Sequence, residues 1–395
     1  MVICAPSDGH PGSGPAPSAR DAAKSLTQDE LARWGTRIRL VASDLDGTLL
    51  NAHHALSPRN ALAVQRLAQL RADRRAQQPA AAAAAAAEEE DGNERHSQTR
   101  EAGPVFMIAT GKCPSAVIGS VPVPDGTLSV HLNGALLVRL RDTAAPPPPA
   151  PASTSAPVSA PASATPAVAD ADGTEPIHGD VLREHTHLPE DIAVFMDFAE
   201  EHQLTLALYC GNTIHSYTGV NAELDVLAPY HEPTPLVHGV SATDDGATVI
   251  ERQRFIERAR DGAIRFHKVL YIGAPERIAA LRPALVACAA PRGITVAATI
   301  PPCLEVMPAG VSKATALREA AAMLGLDVAT ECVAFGDSGN DLEMITEAAI
   351  GVAVGNALPS LKAVADHVSP HSHDDDAVAR VLEVMFDLPA PAMTS

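Results

Sequence analysis

Two aspartates stand one residue apart in the segment VASDLDGTLL (residues 41–50), directly after an apolar run and directly before a glycine. Asp44 and Asp46 repel each other at this spacing unless positive charge lies nearby. A solvated acidic turn would show the same pattern, and so would a site for a metal ion and a reacting phosphate. A calcium loop of the EF-hand type is excluded, because its sixth position, counted from Asp44, must be glycine and is Leu49 here.

Two other segments place polar groups behind apolar runs. In FMIATGK (residues 106–112), Thr110 and Gly111 can offer a hydroxyl and backbone N–H groups to a phosphate oxygen. In FGDSGNDLEM (residues 335–344), Asp337 follows a predicted strand in the same way as the first aspartate pair. An ordinary acidic N-cap would explain a carboxylate at the start of the next helix, but it does not explain Asp337.

A lysine begins a predicted helix in PAGVSKATALREAAAMLG (residues 308–325). Ser312 fits the N-cap position and Gly325 the C-terminal stop, so Lys313 is expected as the first helical residue. A cation there opposes the helix dipole at a cost of about 0.3–1 kcal/mol. A bound anion would remove that cost, since helix N-termini attract phosphate and the lysine adds charge.

Short apolar runs that each end at a polar or glycine residue predict buried strands. These runs are IRLVAS (38–43), VFMIAT (105–110), LSVHLN (128–133), CVAFGD (332–337) and IGVAV (350–354). Helical patterns such as SPRNALAVQRLAQL (57–70) lie between them, and this alternation predicts an α/β fold with a parallel sheet. Ligands bind such sheets at the carboxyl ends of the strands, where Asp44, Thr110, Asn133 and Asp337 are expected.

The middle of the chain has a different pattern. Its predicted elements are a hairpin with Gly211-Asn212 at its turn (206–218), two amphipathic helices (191–202 and 275–288) and a strand (266–273). We therefore expect an α+β unit at residues 177–303, inserted between two parts of the core at 38–142 and 304–388.

Three segments are poor material for a packed core. They are an N-terminal tail at 1–37, an Ala- and Glu-rich insert at 77–102 and a Pro/Ala/Ser-rich linker at 143–176. Such compositions predict a disordered tail, a low-complexity insert and an extended, mobile linker.

Net charge and cysteine content limit the binding partners and the cellular compartment that we expect for this protein. The 395 residues carry a net charge of −19 and no basic patch, which argues against a nucleic-acid or anionic-membrane partner. Six cysteines are scattered without a C-x-x-C pair, which favours a reducing, cytoplasmic compartment over a zinc site or a disulfide framework. No apolar run approaches the length that spans a bilayer. The oligomeric state stays open.

Two carboxylates, a hydroxyl, a lysine and two further carboxylates are thus predicted at one edge of one sheet. Mg²⁺ prefers hard oxygen ligands and is commonly held by one or two carboxylates plus a substrate phosphate. It would also remove the repulsion between Asp44 and Asp46. The residues alone therefore indicate Mg²⁺-dependent phosphoryl chemistry, without showing which aspartate is the nucleophile and which the acid or base.

The order of DLDGTLL, ATG, GVSK and GDSGND along the chain closely resembles the haloacid dehalogenase-like hydrolase superfamily. HLNGALL (131–137), LEVMPAGVSKATAL (304–317) and GVAVGNALPSLKAVADHVS (351–369) narrow the resemblance to the Cof-type, sugar-phosphate phosphatase branch. The resemblance extends from residue 38 to residue 385, apart from the low-complexity inserts. It implies a Rossmann-like core with an α/β cap inserted between the second and third motifs.

The resemblance also implies a role for each motif residue. Asp44 would attack phosphorus to form an aspartyl-phosphate, and Asp46 would protonate the leaving oxygen and then activate water. Thr110, Gly111 and Lys313 would hold the phosphoryl oxygens. Mg²⁺ would be bound by Asp44, the backbone carbonyl of Asp46 and Asp337, with Gly47, Thr48, Asn133, Asn340 and Asp341 supporting the site. Dehalogenases of the superfamily lack the second aspartate, so Asp46 favours phosphate chemistry.

One motif departs from the family pattern, because the family usually has arginine where Lys112 follows ATG. Lysine keeps the charge and loses the bidentate fork, so a phosphate or substrate contact at this position is open. Substrate contacts from the cap are nominated at Tyr209, Asn212 and His215, where an ordinary role in the hairpin is the competing interpretation.

Three functions are compatible with these features. A phosphatase acting on a small phosphorylated metabolite is favoured. A sugar phosphomutase of the same fold would return the phosphoryl group to its substrate, whereas a non-catalytic scaffold would use the Pro-rich linker as a polyproline II ligand. The intact set of Asp44, Asp46, Thr110, Lys313 and Asp337 disfavours the scaffold.

Replacing residues 143–176 by a short Gly/Ser bridge is expected to leave the melting temperature and kcat nearly unchanged, because Pro/Ala/Ser tracts bury little apolar area. Calorimetry and steady-state kinetics on the full-length and shortened proteins check this. A fall of many degrees in the melting temperature would show that the segment packs on the body of the protein.

Overall fold

The structure is a computed structural model, and it describes residues 25–77, 103–118, 121–141, 176–177, 179–218, 221–239, 246–298 and 302–391. The predicted tail at 1–37 is thus described only from residue 25. The insert at 77–102 and the linker at 143–176 lie outside the described residues except for Gln77 and Pro176.

The strands form two sheets. In chain order they are β1 (Leu40–Ser43), β2 (Val105–Ala109), β3 (Leu128–His131), β4 (Leu136–Leu140), β5 (Gly179–Glu184), β6 (Thr205–Cys210), β7 (Thr213–Ser216), β8 (Leu236–Val237), β9 (Lys268–Ile272), β10 (Thr295–Ala297), β11 (Cys303–Met307), β12 (Cys332–Gly336), β13 (Ile350–Ala353) and β14 (His367–Val368). The large sheet has the order β14-β13-β12-β1-β2-β3-β4-β5, and the small sheet has the order β10-β11-β9-β6-β7-β8.

Helices connect most of these strands. They are α1 (Gln28–Gly35), α2 (Pro58–Gln77), α3 (Pro114–Ile118), α4 (Pro189–Glu201), α5 (Asn221–Leu224), α6 (Gly246–Arg260), α7 (Pro275–Ala289), α8 (Lys313–Met323), α9 (Val328–Glu331), α10 (Leu342–Glu347), α11 (Pro359–Lys362) and α12 (Ala377–Phe386). Among the residues that the structure describes, no helix combines the length and the apolar character needed to cross a membrane.

The six strands from β14 to β3 run parallel, and β4 and β5 continue the large sheet antiparallel. The central strands β1, β2, β12 and β13 are buried along their whole length, as their unbroken apolar runs predict. Ser43 at the end of β1 pairs with Ile108 and Phe335 of its two neighbours, so the three strands end level. The predicted α/β fold with a parallel-sheet core is confirmed.

Several predicted element bounds differ from the structure. β1 begins at Leu40 rather than residue 38, and α2 continues past residue 70 to Gln77. The predicted strands that ended on Thr110, Asn133 and Asp337 end one or two residues earlier. These three polar residues therefore lie in the turns that follow the strands, at the edge of the sheet where ligands bind in such folds.

The limits expected for the inserted unit shift by one strand at each end. β5 belongs to the large sheet, where it pairs with β4, although its residues were assigned to the unit at 177–303. β11 pairs with β9 and β10 in the small sheet, although residues from 304 were assigned to the core. The expected boundary coincides with the start of the motif LEVMPAGVSKATAL (304–317), and that motif begins inside β11. We call the large sheet with its helices the core lobe and residues 185–307 the cap lobe.

The predicted N-terminal tail is wrong from Ser25 onwards, because α1 lies inside it. Thr27 and Glu30 form a capping box at the start of this helix, and Leu31 is buried in the core lobe. Gly35 approaches the backbone of α12 so closely that a Cβ there would lie 1.6 Å from the oxygen of Met385. Packing on α12 thus orders a segment whose neighbours upstream are rich in Pro and Gly.

The cap lobe contains the predicted hairpin, two of its predicted helices and its predicted strand. β6 and β7 pair antiparallel around Gly211, and β9 joins β6. α4 and α7 cover the regions predicted as amphipathic helices. A shared apolar cluster, which includes Leu136 of the core lobe and Tyr209 and Leu270 of the cap lobe, holds the two lobes together.

The start of α8 is pressed against the turn that follows β3. A Cβ at Gly134 would lie 2.2 Å from the backbone oxygen of Ser312, and the φ angle of this glycine is +111°. Only glycine permits both the backbone angle and the approach, so this contact fixes where Lys313 begins its helix.

Gly134→Ala is therefore expected to lower the free energy of unfolding by about 1–3 kcal/mol more than Gly126→Ala, because only the first variant adds a clash to the backbone strain. Gly126 is the matched control, since its φ is +78° and a Cβ there meets no atom of the described residues within 4 Å. Urea unfolding of both variants measures the difference. Equal losses would contradict the close approach of the two backbones.

Candidate active site

A tight turn after β1 presents the aspartate pair. Asp44 keeps an extended backbone, and Gly47 turns the chain with a φ of +78°. A Cβ on Gly47 would lie 2.6 Å from Oδ2 of Asp337, so the glycine lets the turn approach this carboxylate. The Thr48 hydroxyl donates to Oδ1 of Asp337 at 3.3 Å. The turn after β1 and the turn after β12 are thereby joined directly.

Lys313 is the cation around which the carboxylates gather. Its Nζ donates to Oδ1 of Asp44 at 2.5 Å and to Oδ1 of Asp341 at 2.7 Å, and its side chain is 1% exposed. Burial lowers its pKa, yet the two carboxylates outweigh burial and raise the pKa above the ordinary lysine value. Ser312 caps α8 as predicted. The protein itself thus supplies negative charge on two sides of the lysine.

Asp341 is held from two sides. While one oxygen accepts from Lys313, Oδ2 accepts the backbone N–H groups of Asp337 and Ser338 at 3.0 and 3.1 Å. The side chain is fully buried. This network fixes the turn after β12, so Asp337 points its carboxylate toward the turn that carries Asp44.

Three carboxylates, those of Asp44, Asp337 and Asp341, offer oxygen atoms that lie within 4.8 Å of one another. Burial raises the pKa of Asp44 well above its usual range; Lys313 opposes this rise, and the other two carboxylates add to it. Burial and Asp341 likewise raise the pKa of Asp337. Oδ2 of Asp44 is buried and has no hydrogen-bond partner among the described residues. An unpartnered oxygen in an all-carboxylate cluster suits a hard divalent cation such as Mg²⁺.

Asp46 has separate partners. Its Oδ1 lies 2.7 Å from Nζ of Lys112 and 2.8 Å from Nδ1 of His54, and its side chain is 27% exposed. The lysine that departs from the family pattern thus contacts the second aspartate. His54 was not predicted as a site residue. It lies in the loop after β1, where the structure gives it an uncommon positive φ of +54°. Asp44 therefore pairs with Lys313, and Asp46 pairs with Lys112.

A cavity of about 170 Å³ opens beside these groups, between the two lobes. Its lining includes Asp44, Asp46, Thr110, Gly111 and Lys112 from the core lobe. The backbone N–H of Lys112 donates to the Thr110 hydroxyl oxygen at 3.2 Å, which orients the turn after β2. The predicted phosphate-binding turn and the aspartate pair thus face the same space.

A chain of amides connects the core lobe to the cap lobe at this cavity. Asn340 donates to Oδ1 of Asn133 at 3.0 Å, and Asn133 in turn donates to Oε1 of Glu305 at 2.5 Å. Lys268 approaches Glu305 at 3.7 Å and donates to the carbonyl of Gly111 at 2.8 Å. The two asparagines thereby position cap residues over the site.

The three cap residues nominated from the sequence have different places. Tyr209 lines the cavity. Asn212 instead accepts from the backbone N–H of Ser115 at 2.8 Å and donates to the carbonyl of Pro176, the last linker residue. His215 is fully buried and contacts His238 at 2.9 Å. Asn212 and His215 therefore have structural partners within the protein and do not line the cavity described above.

Several cavity residues were missed by the sequence analysis. They are Tyr230, Glu232, Lys268 and Glu305, all from the cap lobe. Glu305 had one signal, a lone charge within the apolar run CLEVM. The others lie in segments without a motif, and docking of the cap brings them to the site.

Comparison with known proteins supports this assignment of the fold. The solved structure of a HAD/COF-like hydrolase from Plasmodium vivax is similar over 92% of this chain and 100% of its own, with a TM-score of 0.62 and 17% identity. TM0651 from Thermotoga maritima is similar over 88% and 97%, with a TM-score of 0.56 and 19% identity. These likenesses show a shared fold.

Sequence comparison gives the family. An HMP-PP phosphatase of Serratia proteamaculans is 45% identical over 82 residues, which are 20% of this chain and 30% of the relative. The chain thus matches less than a third of the length of this curated relative. The sequence model of the haloacid dehalogenase-like hydrolases matches residues 168–382, which is more than half of the chain. With the same fold in solved relatives and this match, the chain belongs to the haloacid dehalogenase-like hydrolase family.

Proposed function

We propose that the protein is a Mg²⁺-dependent phosphatase that hydrolyses a small phosphorylated metabolite through an aspartyl-phosphate on Asp44. One observation carries this proposal. Asp44 and Asp46 line the same cavity, but the first is buried against Lys313 and the carboxylate cluster, whereas the second is partly exposed beside Lys112 and His54. Such different surroundings suit two different chemical roles.

Asp44 is the better nucleophile of the two. Lys313 holds the Asp44 carboxylate at the edge of the cavity, so that one of its oxygens can attack phosphorus. A bond forms between this oxygen and phosphorus while the bond from phosphorus to the leaving oxygen breaks. Lys313 remains beside the transferring group and balances its negative charge.

Asp46 is placed to move protons. In its acid form it donates a proton to the leaving alkoxide, which departs as an alcohol. The resulting carboxylate then takes a proton from the water that attacks the aspartyl-phosphate, and inorganic phosphate and free Asp44 are released. Lys112 and His54 orient Oδ1 of Asp46 during both steps.

The remaining motif residues hold the phosphate and the cation. Thr110 and Gly111 offer a hydroxyl and backbone N–H groups at the cavity. The side chains of Asp44, Asp337 and Asp341 and the backbone carbonyl of Asp46 would hold Mg²⁺ or support its ligands, and the bound ion would neutralise phosphoryl oxygens.

The comparisons support phosphatase chemistry. The relatives from Serratia proteamaculans and Citrobacter koseri are named as HMP-PP phosphatases, and the match to each spans about a third of its length. Buried free thiols at Cys113, Cys303 and Cys332 support a reducing, cytoplasmic setting. The direct test is phosphate release from a panel of sugar phosphates and phosphorylated cofactors, with and without Mg²⁺. Release without a bisphosphate activator would separate a phosphatase from a phosphomutase.

Asp44→Asn is expected to keep the fold and reduce turnover below about one per cent, since an amide cannot form the acyl-phosphate. Asp46→Asn is expected to be severely slowed as well. With p-nitrophenyl phosphate, whose leaving group needs no proton, this variant should gain the mass of one phosphoryl group because hydrolysis lacks its base. Intact-protein mass spectrometry checks this. A folded Asp44→Asn enzyme with substantial activity would contradict the covalent mechanism.

Lys313→Met is expected to lower both stability and activity. Removing the lysine leaves the buried carboxylates of Asp44 and Asp341 without a compensating positive charge, which costs about 3–5 kcal/mol in the metal-free protein. The same change removes a cation from the transferring phosphoryl group and should lower kcat/KM by about 10²-fold or more. Added Mg²⁺ should restore part of the stability, because the cation binds the folded carboxylate cluster.

The surface pair of Arg318 and Glu347 supplies the matched control for this variant. Both side chains are well exposed, so Arg318→Met is expected to cost about 1 kcal/mol or less and to leave kcat/KM unchanged. Urea unfolding and kinetics compare the two variants. Similar small effects in both would remove Lys313 from the site.

A further inference from the structure

The cap side of the active-site cavity carries its own set of charges. Tyr209, Tyr230, Glu232, Lys268 and Glu305 line this side, facing the phosphate-binding turns of the core lobe. A phosphorylated substrate bound to the core lobe would direct its leaving group toward them. These side chains therefore decide which leaving groups fit.

Two of the charges are committed to contacts within the protein. Lys268 donates to the carbonyl of Gly111 at 2.8 Å, lies 3.7 Å from Glu305 and stands 4.1 Å from the centre of the Tyr209 ring. Glu305 accepts from Asn133 at 2.5 Å. Both residues are almost fully buried and satisfy each other, so they join the lobes and leave no net charge for a ligand.

Glu232 is the exception. Its Oε2 accepts from the thiol of Cys113 at 2.8 Å and from the backbone N–H of the same residue at 3.4 Å. A thiol is a weak donor. Among the described residues, no lysine, arginine or histidine nitrogen lies within 4.0 Å of this carboxylate. Burial raises the pKa of Glu232, and the charge of Lys268, the two hydrogen bonds from Cys113 and the charge of Lys112 oppose that rise.

A carboxylate in this position is costly without a partner. Burying an ionised group away from water is unfavourable unless an opposite charge or strong donors compensate it. Glu232 is half-buried and faces the substrate cavity, and it follows His231, whose left-handed conformation (φ +58°) ends the helical turn Asp225–Tyr230. A ligand that brings a positive charge to hydrogen-bond distance would stabilise such a group further.

Glu232 borders two cavities. Leu227 and Glu232 also line a second cavity of about 280 Å³, whose other walls include Leu224, Pro233 and Val237. Its lining is mostly apolar, with Asp225 and Thr234 as further polar members. A leaving group that contacts Glu232 in the active-site cavity would also have the apolar side chain of Leu227 beside it.

We infer that Glu232 recognises a basic nitrogen on the leaving group, so that the preferred substrate is a phosphomonoester of an amine-bearing alcohol. This inference rests on the proposed phosphatase function. A protonated amine donates a charge-assisted hydrogen bond to the carboxylate, whereas a hydroxyl in the same place provides only a neutral one. Discrimination between amine and hydroxyl is therefore the specific signature of Glu232.

Paired substrates that differ at one group test this directly. We would measure kcat/KM of the full-length protein with Mg²⁺ on pyridoxamine 5′-phosphate against pyridoxine 5′-phosphate, and on glucosamine 6-phosphate against glucose 6-phosphate. In at least one pair the amine member should be preferred by about tenfold or more. Glu232→Gln keeps the size and an acceptor for Cys113 but removes the charge, so the preference should fall to about threefold or less.

Glu276→Gln is the matched control, since Glu276 is exposed at the start of α7 and does not line the cavity. This control should keep the wild-type preference. Circular dichroism and the melting temperature test whether both variants fold. If Glu232→Gln does not fold, Glu232→Asp replaces it in the test. Aspartate keeps the negative charge but moves it away from the cavity by one methylene, so the preference for the amine should weaken.

The outcomes separate the two proposals. Hydrolysis of p-nitrophenyl phosphate that Asp44→Asn abolishes upholds the proposed function whatever the preference between paired substrates. With that activity present, a wild-type enzyme without amine preference in either pair, or a preference that survives in Glu232→Gln, would overturn the role of Glu232 alone. A wild-type protein that hydrolyses none of these esters would contradict the proposed function itself.

Discussion

The site depends on one buried ammonium group placed between two buried carboxylates. Lys313 contacts Asp44 and Asp341 at once, and these three side chains come from the start of α8, the end of β1 and the turn after β12. Carboxylates this deeply buried would otherwise be protonated or exposed, because an unpaired charge is strongly disfavoured away from water. The lysine therefore permits the sheet to end on like charges at its centre.

The rest of the core lobe places the turns that carry these three residues. Level strand ends bring the turns after β1, β2 and β12 to one edge, and the glycines at 47 and 134 allow the backbone to approach Asp337 and Ser312. The cap lobe then closes the cavity through polar contacts at its rim, such as that between Asn133 and Glu305. Apolar packing between the lobes determines the shape of the cavity. Around the cavity, opposite charges lie in pairs, such as Lys313 with Asp44 and Lys112 with Asp46.

The sequence predicted the parts that local pattern controls. Buried parallel strands appear as apolar runs, and the polar residues that follow them must share an edge, so Asp44, Thr110 and Asp337 could be placed together. Position within a helix could be predicted for Lys313, but the carboxylates that it contacts lie 269 and 28 residues away along the chain, beyond the reach of a local pattern. Its contact with a phosphate stays a prediction.

Other features depended on contacts that pattern does not encode. α1 was missed although its capping box is present in the sequence, because the chain before it is rich in Pro and Gly and its helix is ordered by packing on α12. His54 and Glu232 come from loops, and only the docked loops show that they face Asp46 and the cavity. Asn212 and His215 lie in a correctly predicted hairpin, yet their side chains point into the protein rather than into the cavity.

The central claim is that Asp44 becomes covalently phosphorylated during turnover. The most direct measurement is chemical: the wild-type enzyme is quenched during turnover, the acyl-phosphate is reduced with borohydride, and the peptide spanning residues 41–50 is sequenced by mass spectrometry. The account predicts homoserine at position 44 and unmodified aspartate at position 46. Turnover with aspartate intact at position 44, or reduction at position 46 instead, would contradict it.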